Sequence, residues 1–161
     1  MTEELDLENL KKNYAEIQKK FSLPNFEELN QDFYIEKLAE IETDYLIREI
    51  RKFMAEKLQN YARFIEAILQ PTNASMFIFS VIKTMNSEDK KILAEVYKKL
   101  AKLEVDIIEL EVSFSEEKEI EFVRNFYNIW QEIKDDMIKI TGSIKNNWNK
   151  EIDKDNKAYF G

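Results

Sequence analysis

Residues 93–110 read LAEVYKKLAKLEVDIIEL, and within them Leu93, Val96, Leu100, Leu103, Ile107 and Leu110 recur at alternating spacings of three and four. That is the period of an α-helix whose apolar seam packs along a second helix. Ser113-Phe114-Ser115 interrupts the pattern, and Ser115 stands where a helix N-cap is needed. Beyond it Val123, Phe126, Trp130, Ile133, Met137, Ile140 and Ile144 resume the same spacing. A short link between two helices of matching pattern predicts an antiparallel helical hairpin, about 88–112 and 116–148. The stretch from Glu109 to Phe114 also alternates as a strand would, but it continues the seam and is read as helix.

Upstream, Leu7, Leu10, Tyr14, Ile17 and Phe21 form one helical stripe, stopped by Ser22-Leu23-Pro24-Asn25. Asn25 with Glu28 makes an Asx-x-x-Glu variant of the capping box, so a short helix from Phe26 to about Gln31 follows. No glycine or proline falls between Asp32 and Gln70, and Ile35, Leu38, Ile41, Tyr45, Leu46 and Ile50 continue at helical spacing. One long helix is therefore predicted over about 34–69, ended by Pro71. Thr72 or Asn73 is available to cap the next segment, the apolar run from Met76 to Met85. Asn86-Ser87-Glu88-Asp89 reads as a fresh cap with acids in the first turn, where they complement the helix dipole. The expected fold is all-α, an elongated bundle of about five helices. Helices of ~35 residues at ~1.5 Å rise would make it roughly 50 Å long. One helical domain is expected over 1–150, with 151–161 a polar tail carrying an aromatic tip.

Composition narrows the chemistry. The chain has no histidine and no cysteine, and only two glycines, Gly142 and Gly161. Catalytic dyads and triads built on His or Cys are excluded, as are the usual structural zinc sites, cysteine-ligated clusters and haem on His or Cys. A ferritin-like di-iron bundle lacks the histidine of its Glu-x-x-His motif. Phosphate-binding loops need several glycines close together, which this chain does not have. No cofactor is called for. A net charge of −8 disfavours general nucleic-acid binding, which rests on neutralising phosphates. The absence of cysteine fits a reducing compartment. The start lacks the basic and apolar regions of a signal peptide, and no run reaches the ~20 apolar residues of a membrane span. A cytoplasmic location without membrane contact is expected.

Carboxylates, lysines and apolar surface remain. Glu36, Glu40 and Asp44 lie at i, i+4 and i+8, on one face of the predicted long helix. They are candidate ligands for magnesium or calcium, or more simply a solvated face beside Lys37 and Arg48. The hairpin tip gathers Glu104, Asp106, Glu109, Glu111, Glu116, Glu117, Glu119 and Glu121 against Lys118 alone. Lys83, Lys90, Lys91, Lys98, Lys99 and Lys102 give the other end the opposite sign. In the 76–85 run, Met76, Phe77 and Phe79 are candidate contact residues, since Met and Phe adapt to a partner's shape. The plainer alternative is a core helix closing the bundle. Trp148, Tyr159 and Phe160 stand in polar sequence, and either fold back or insert into another protein.

The stretches Ser22-Leu23-Pro24-Asn25-Phe26-Glu27-Glu28-Leu29 and Thr43-Asp44-Tyr45-Leu46-Ile47-Arg48-Glu49-Ile50-Arg51, with the Tyr159-Phe160-Gly161 ending, resemble an uncharacterised all-helical family of archaea. That resemblance spans most of the chain and implies no assigned activity. Asp32-Phe33-Tyr34-Ile35-Glu36-Lys37-Leu38-Ala39 and Ser87-Glu88-Asp89-Lys90 also resemble the helical domain of archaeal GINS complex subunits. This implies a helical subunit of a nucleic-acid-associated complex, though that family adds a small β domain not read here. Together the residues point to a non-enzymatic helical interaction or scaffold protein, acting as an oligomer or assembly subunit. A protein partner or self-association is expected. A carboxylate-only protein or enzyme for divalent metals is the alternative from another class.

Overall fold

A computed structural model describes the backbone of residues 2–159 and the side chains of residues 6–150. Six α-helices follow in order: α1 (Thr2–Phe21), α2 (Phe26–Phe33), α3 (Leu46–Leu69), α4 (Met76–Thr84), α5 (Ser87–Val112) and α6 (Glu116–Tyr159). A 3-10 segment, Ile35–Glu40, stands between α2 and α3, and no strand occurs among the described residues. The all-α fold is as the periodicity predicts, with more and shorter helices in the first half.

Local chemistry sets the helix ends. Ser22 takes a left-handed φ of 52°, turning the chain out of α1. Asn25 and Glu28 make the predicted capping box: the Glu28 N–H donates to Asn25 Oδ1 at 2.8 Å, and the Asn25 N–H donates to Glu28 Oε2 at 3.1 Å. Asn86 and Asp89 repeat the arrangement at the start of α5, at 2.8 and 3.3 Å. Ser115 caps α6. At α4 the cap is Ser75, whose hydroxyl accepts from the Ile78 N–H at 3.3 Å, and not Thr72 or Asn73. The reason is register: a cap three residues before Ile78 buries Ile78 and Val81.

The single helix over 34–69 does not form. The chain leaves α2 at Tyr34, which adopts φ 56° and ψ 40°, and its N–H closes back on the Asn30 carbonyl at 2.9 Å. The Asn30 side chain then holds the next turn, accepting from the Glu36 N–H at 2.9 Å and donating to the Glu36 carboxylate at 2.8 Å. Burial explains the break. Phe33 and Ile35 are both buried, yet two positions apart on a continuous helix they would point ~200° apart. Residues 41–45 are irregular, and Thr43 Oγ1 accepts from the Tyr45 N–H at 3.0 Å before α3 begins.

The chain forms two compact units, Met1–Gln59 with Lys102–Ile129, and Asn60–Ala101 with Trp130–Gly161. In the first, α1 packs on α2 and the 3-10 segment; Tyr14 meets Phe26 edge-on at 5.8 Å, and Phe33 meets Phe126 at 5.5 Å. Tyr14 is fully buried and donates its hydroxyl to the Pro24 carbonyl at 2.6 Å. Burial pushes that phenol above its ordinary pKa, with the charges of Glu28 and Tyr127 adding to the effect. In the second unit Tyr61 meets Trp130 edge-on at 5.3 Å.

The apolar seams of α5 and α6 are buried. Leu93 through Leu110 and Val123 through Ile140 are buried at every named position, while Ile144 is only half-buried. Each leucine so buried contributes about 1.5–3 kcal/mol of transfer free energy. α5 and α6 run antiparallel within each unit: Lys118 pairs with Glu109 in the first, and Lys99 with Glu132 in the second, where Ser143 also bonds Asp89. The helix does not stop near 148. Its backbone continues through Gly142, where nothing crowds the missing Cβ, and takes up residues 151–159 of the expected tail.

Candidate docking surfaces

α4 decides the question its sequence left open. Its nine residues, MFIFSVIKT, are apolar on every side, and so short a helix can bury only one of them. Ile78, Val81 and Thr84 face inward with the following Met85. Met76, Phe77 and Phe79 are left 81%, 59% and 44% exposed. Trp148 of α6 is half-buried and its ring lies 6.3 Å from that of Phe77, so these two candidates meet, while Phe79, two positions further along the helix, points ~200° away from Phe77. The contact is held in place by Asn147, whose amide donates to the Thr84 carbonyl at 3.1 Å. The Tyr159 side chain and Phe160 lie outside the described residues.

The carboxylates proposed as metal ligands lose their common helix face. Glu36 and Glu40 fall in the 3-10 segment and Asp44 in the irregular link before α3. Among the described residues no three metal-ligating side chains gather closely enough to hold an ion. The acidic hairpin tip also divides: Glu109 pairs with Lys118, and Glu111 and Glu119 pair with Arg51. In the lysine-rich stretch Lys98 pairs with Glu95 and Lys99 with Glu132. No helix of the described residues is long and apolar enough to cross a membrane.

Two features escaped the sequence reading. The first is the Arg51 cluster. Arg51 is 1% exposed and grips Glu119, itself 0% exposed, through Nε at 2.8 Å and Nη2 at 3.2 Å, while Nη1 reaches half-exposed Glu111 at 2.5 Å. Burial alone would lower the guanidinium pKa, but the hydrogen bonds it donates to Glu119 and Glu111 outweigh it and the net direction is up. The bond from Arg51 in turn holds the Glu111 carboxyl below its ordinary range. A signal was present, because Arg51 sits on the apolar stripe of Ile47, Ile50, Met54 and Leu58, where a solvated charge does not belong. The second is the outer face of α5, where Val105, Ile108 and Val112 are 64%, 63% and 82% exposed. Their own spacing of three and four marks a second apolar stripe beside the seam.

Compared with protein-family models, with curated proteins and with solved structures, the chain finds no match in any of the three.

Proposed function

We propose that this chain is a non-enzymatic helical interaction protein of the cytoplasm, which works by presenting the α4 patch to a protein partner or to a second copy. The observation that carries this reading is the exposure of Met76, Phe77 and Phe79 on one short helix, with Phe77 against Trp148. Large apolar side chains left exposed on so short a helix cost free energy in water, and such surfaces mark contact sites. Methionine and the aromatics are also the residues that anchor interfaces. The lack of histidine and cysteine removes the commonest general base and the thiolate nucleophile, which favours binding over catalysis.

The test compares the wild-type chain with a Met76→Glu, Phe77→Glu double variant by sedimentation velocity and by pull-down from native extract. Both substitutions fall in the first turn of α4, where acids suit the helix dipole, so the fold should survive them. Wild type is expected to self-associate or retain a specific partner, and the variant to lose that association. A wild-type chain that stays monomeric at every concentration and retains nothing would overturn the reading.

A further inference from the structure

A surface of the first unit carries different chemistry from the α4 patch. Between α1 and the 41–45 link runs a groove. Asn9 and Asn13 of α1 line a cavity of about 430 Å³ together with Glu40, Glu42 and Thr43, and the buried side chains of Leu10 and Leu38 also line it. Asn13 and Thr43 line the adjoining cavity of about 350 Å³ as well, which ends at Tyr45 and Phe114 with Glu16, Asp44 and Glu116 around them. Tyr45 and Phe114 are 57% and 45% exposed and stand edge to face at 5.5 Å. One cation already rests on this ring pair: the Arg48 guanidinium lies 5.6 Å from the Phe114 centroid.

Apart from Arg48 on Phe114, the charge is of one sign: among the described residues no lysine or arginine lines either cavity. Among the described residues Glu16, Glu40, Glu42, Asp44 and Glu116 enter no ion pair. The carboxylates are spread along the groove and do not converge on a point, which suits a string of separate cations better than a metal ion. The apolar lining suits the stems of side chains rather than a free inorganic ion.

We propose that this groove docks a lysine- or arginine-bearing segment of a partner protein, with one cationic side chain against Tyr45 and others answered by Glu40, Glu42 and Asp44. Complementary charge fixes register and speeds encounter, and exposed Ile41 with half-buried Leu46, which also line the groove, take the aliphatic stems.

Fluorescence anisotropy with the full chain tests this, using a fluorescein-labelled peptide of repeating Lys-Leu-Lys-Ala and a matched peptide with glutamate for lysine. The lysine peptide is expected to bind and the glutamate peptide not. Glu40→Lys with Asp44→Lys should weaken binding about tenfold or more, and Tyr45→Ala about threefold. A control reversing Glu56 and Glu66, both exposed on α3, should change affinity by less than about twofold. The Met76→Glu, Phe77→Glu variant should bind the peptide as wild type does, which separates this site from the α4 reading. Equal loss in the Glu56 and Glu66 control would mean attraction to net charge alone and would overturn the proposal. So would failure of the lysine peptide to bind at low salt.

Discussion

The two units bury charge in opposite ways. In the first, Arg51 and Glu119 are both inside, and each is answered by a full charge of the other sign. In the second, Asp89 is 5% exposed and is answered by dipoles: the Asn86 N–H at 3.3 Å and the Ser143 hydroxyl at 2.8 Å. Asp89 also sits in the first turn of α5, where the helix amides supply a partial positive charge. The difference lies in what survives when a partner is lost. Both carboxylates stand in the first turn of a helix, but Asp89 accepts from a backbone N–H and a hydroxyl, whereas among the described residues both oxygens of Glu119 are bonded by Arg51 alone. The first unit thus fixes two chain positions far apart in sequence against each other, through a contact that fails completely when one side is removed.

The largest effect should therefore come from Arg51→Met, which leaves Glu119 buried and uncompensated. We expect a loss of about 3–5 kcal/mol in urea unfolding. The double variant Arg51→Met, Glu119→Leu should recover most of it, since well-packed apolar side chains replace a buried ion pair at little cost. A double variant as unstable as the single one would show that the pair itself, rather than the stranded charge, is what matters. Asp89→Ala should cost less, about 1–2 kcal/mol, the range of a lost N-cap partner with one further hydrogen bond. A loss as large as that of Arg51→Met would erase the contrast between the units.

The hairpin was legible because its pattern is regular and its signals agree. Seam, cap and link all point to one pairing, and a helix packed along one side has only one way to bury Leu93 through Leu110. Residues 30–45 were illegible for the complementary reason. The break at Tyr34 uses neither glycine nor proline, but a side chain, Asn30, which folds back on Glu36. Its trace was the adjacent burial of Phe33 and Ile35, a spacing of two that no single helix face can take. That same break frees the 41–45 link to wall the acidic groove, so Glu40 and Asp44 come to line a cleft that one continuous helix would not form. The α4 patch was half legible: sequence named Met76, Phe77 and Phe79, but only the burial of Ile78 and Val81 shows which face is left over.

The smallest effect belongs to Glu111, the half-exposed arm of the Arg51 cluster, and it should appear as a pH dependence. The hydrogen bond from Arg51 depresses its folded pKa, with the charges of Arg51, Arg48 and Lys52 reinforcing it. A depressed carboxyl binds fewer protons folded than unfolded, so its contribution is complete above the unfolded carboxylate value of about 4.3. It fades as pH falls through the lower folded value, where both states carry the proton. Glu111→Gln removes that linkage while keeping a hydrogen-bond acceptor for Arg51 Nη1. The wild type should thus exceed the variant in urea midpoint near neutral pH, by a small margin because the carboxylate is solvated, and the gap should close on acidification. Glu119 shares the arginine but is fully enclosed, so its removal should cost far more at every pH where Arg51 stays buried and charged. A gap at Glu111 that stayed constant with pH would mean that the outer arm acts through packing alone, and that the cluster's electrostatics reside in the buried pair.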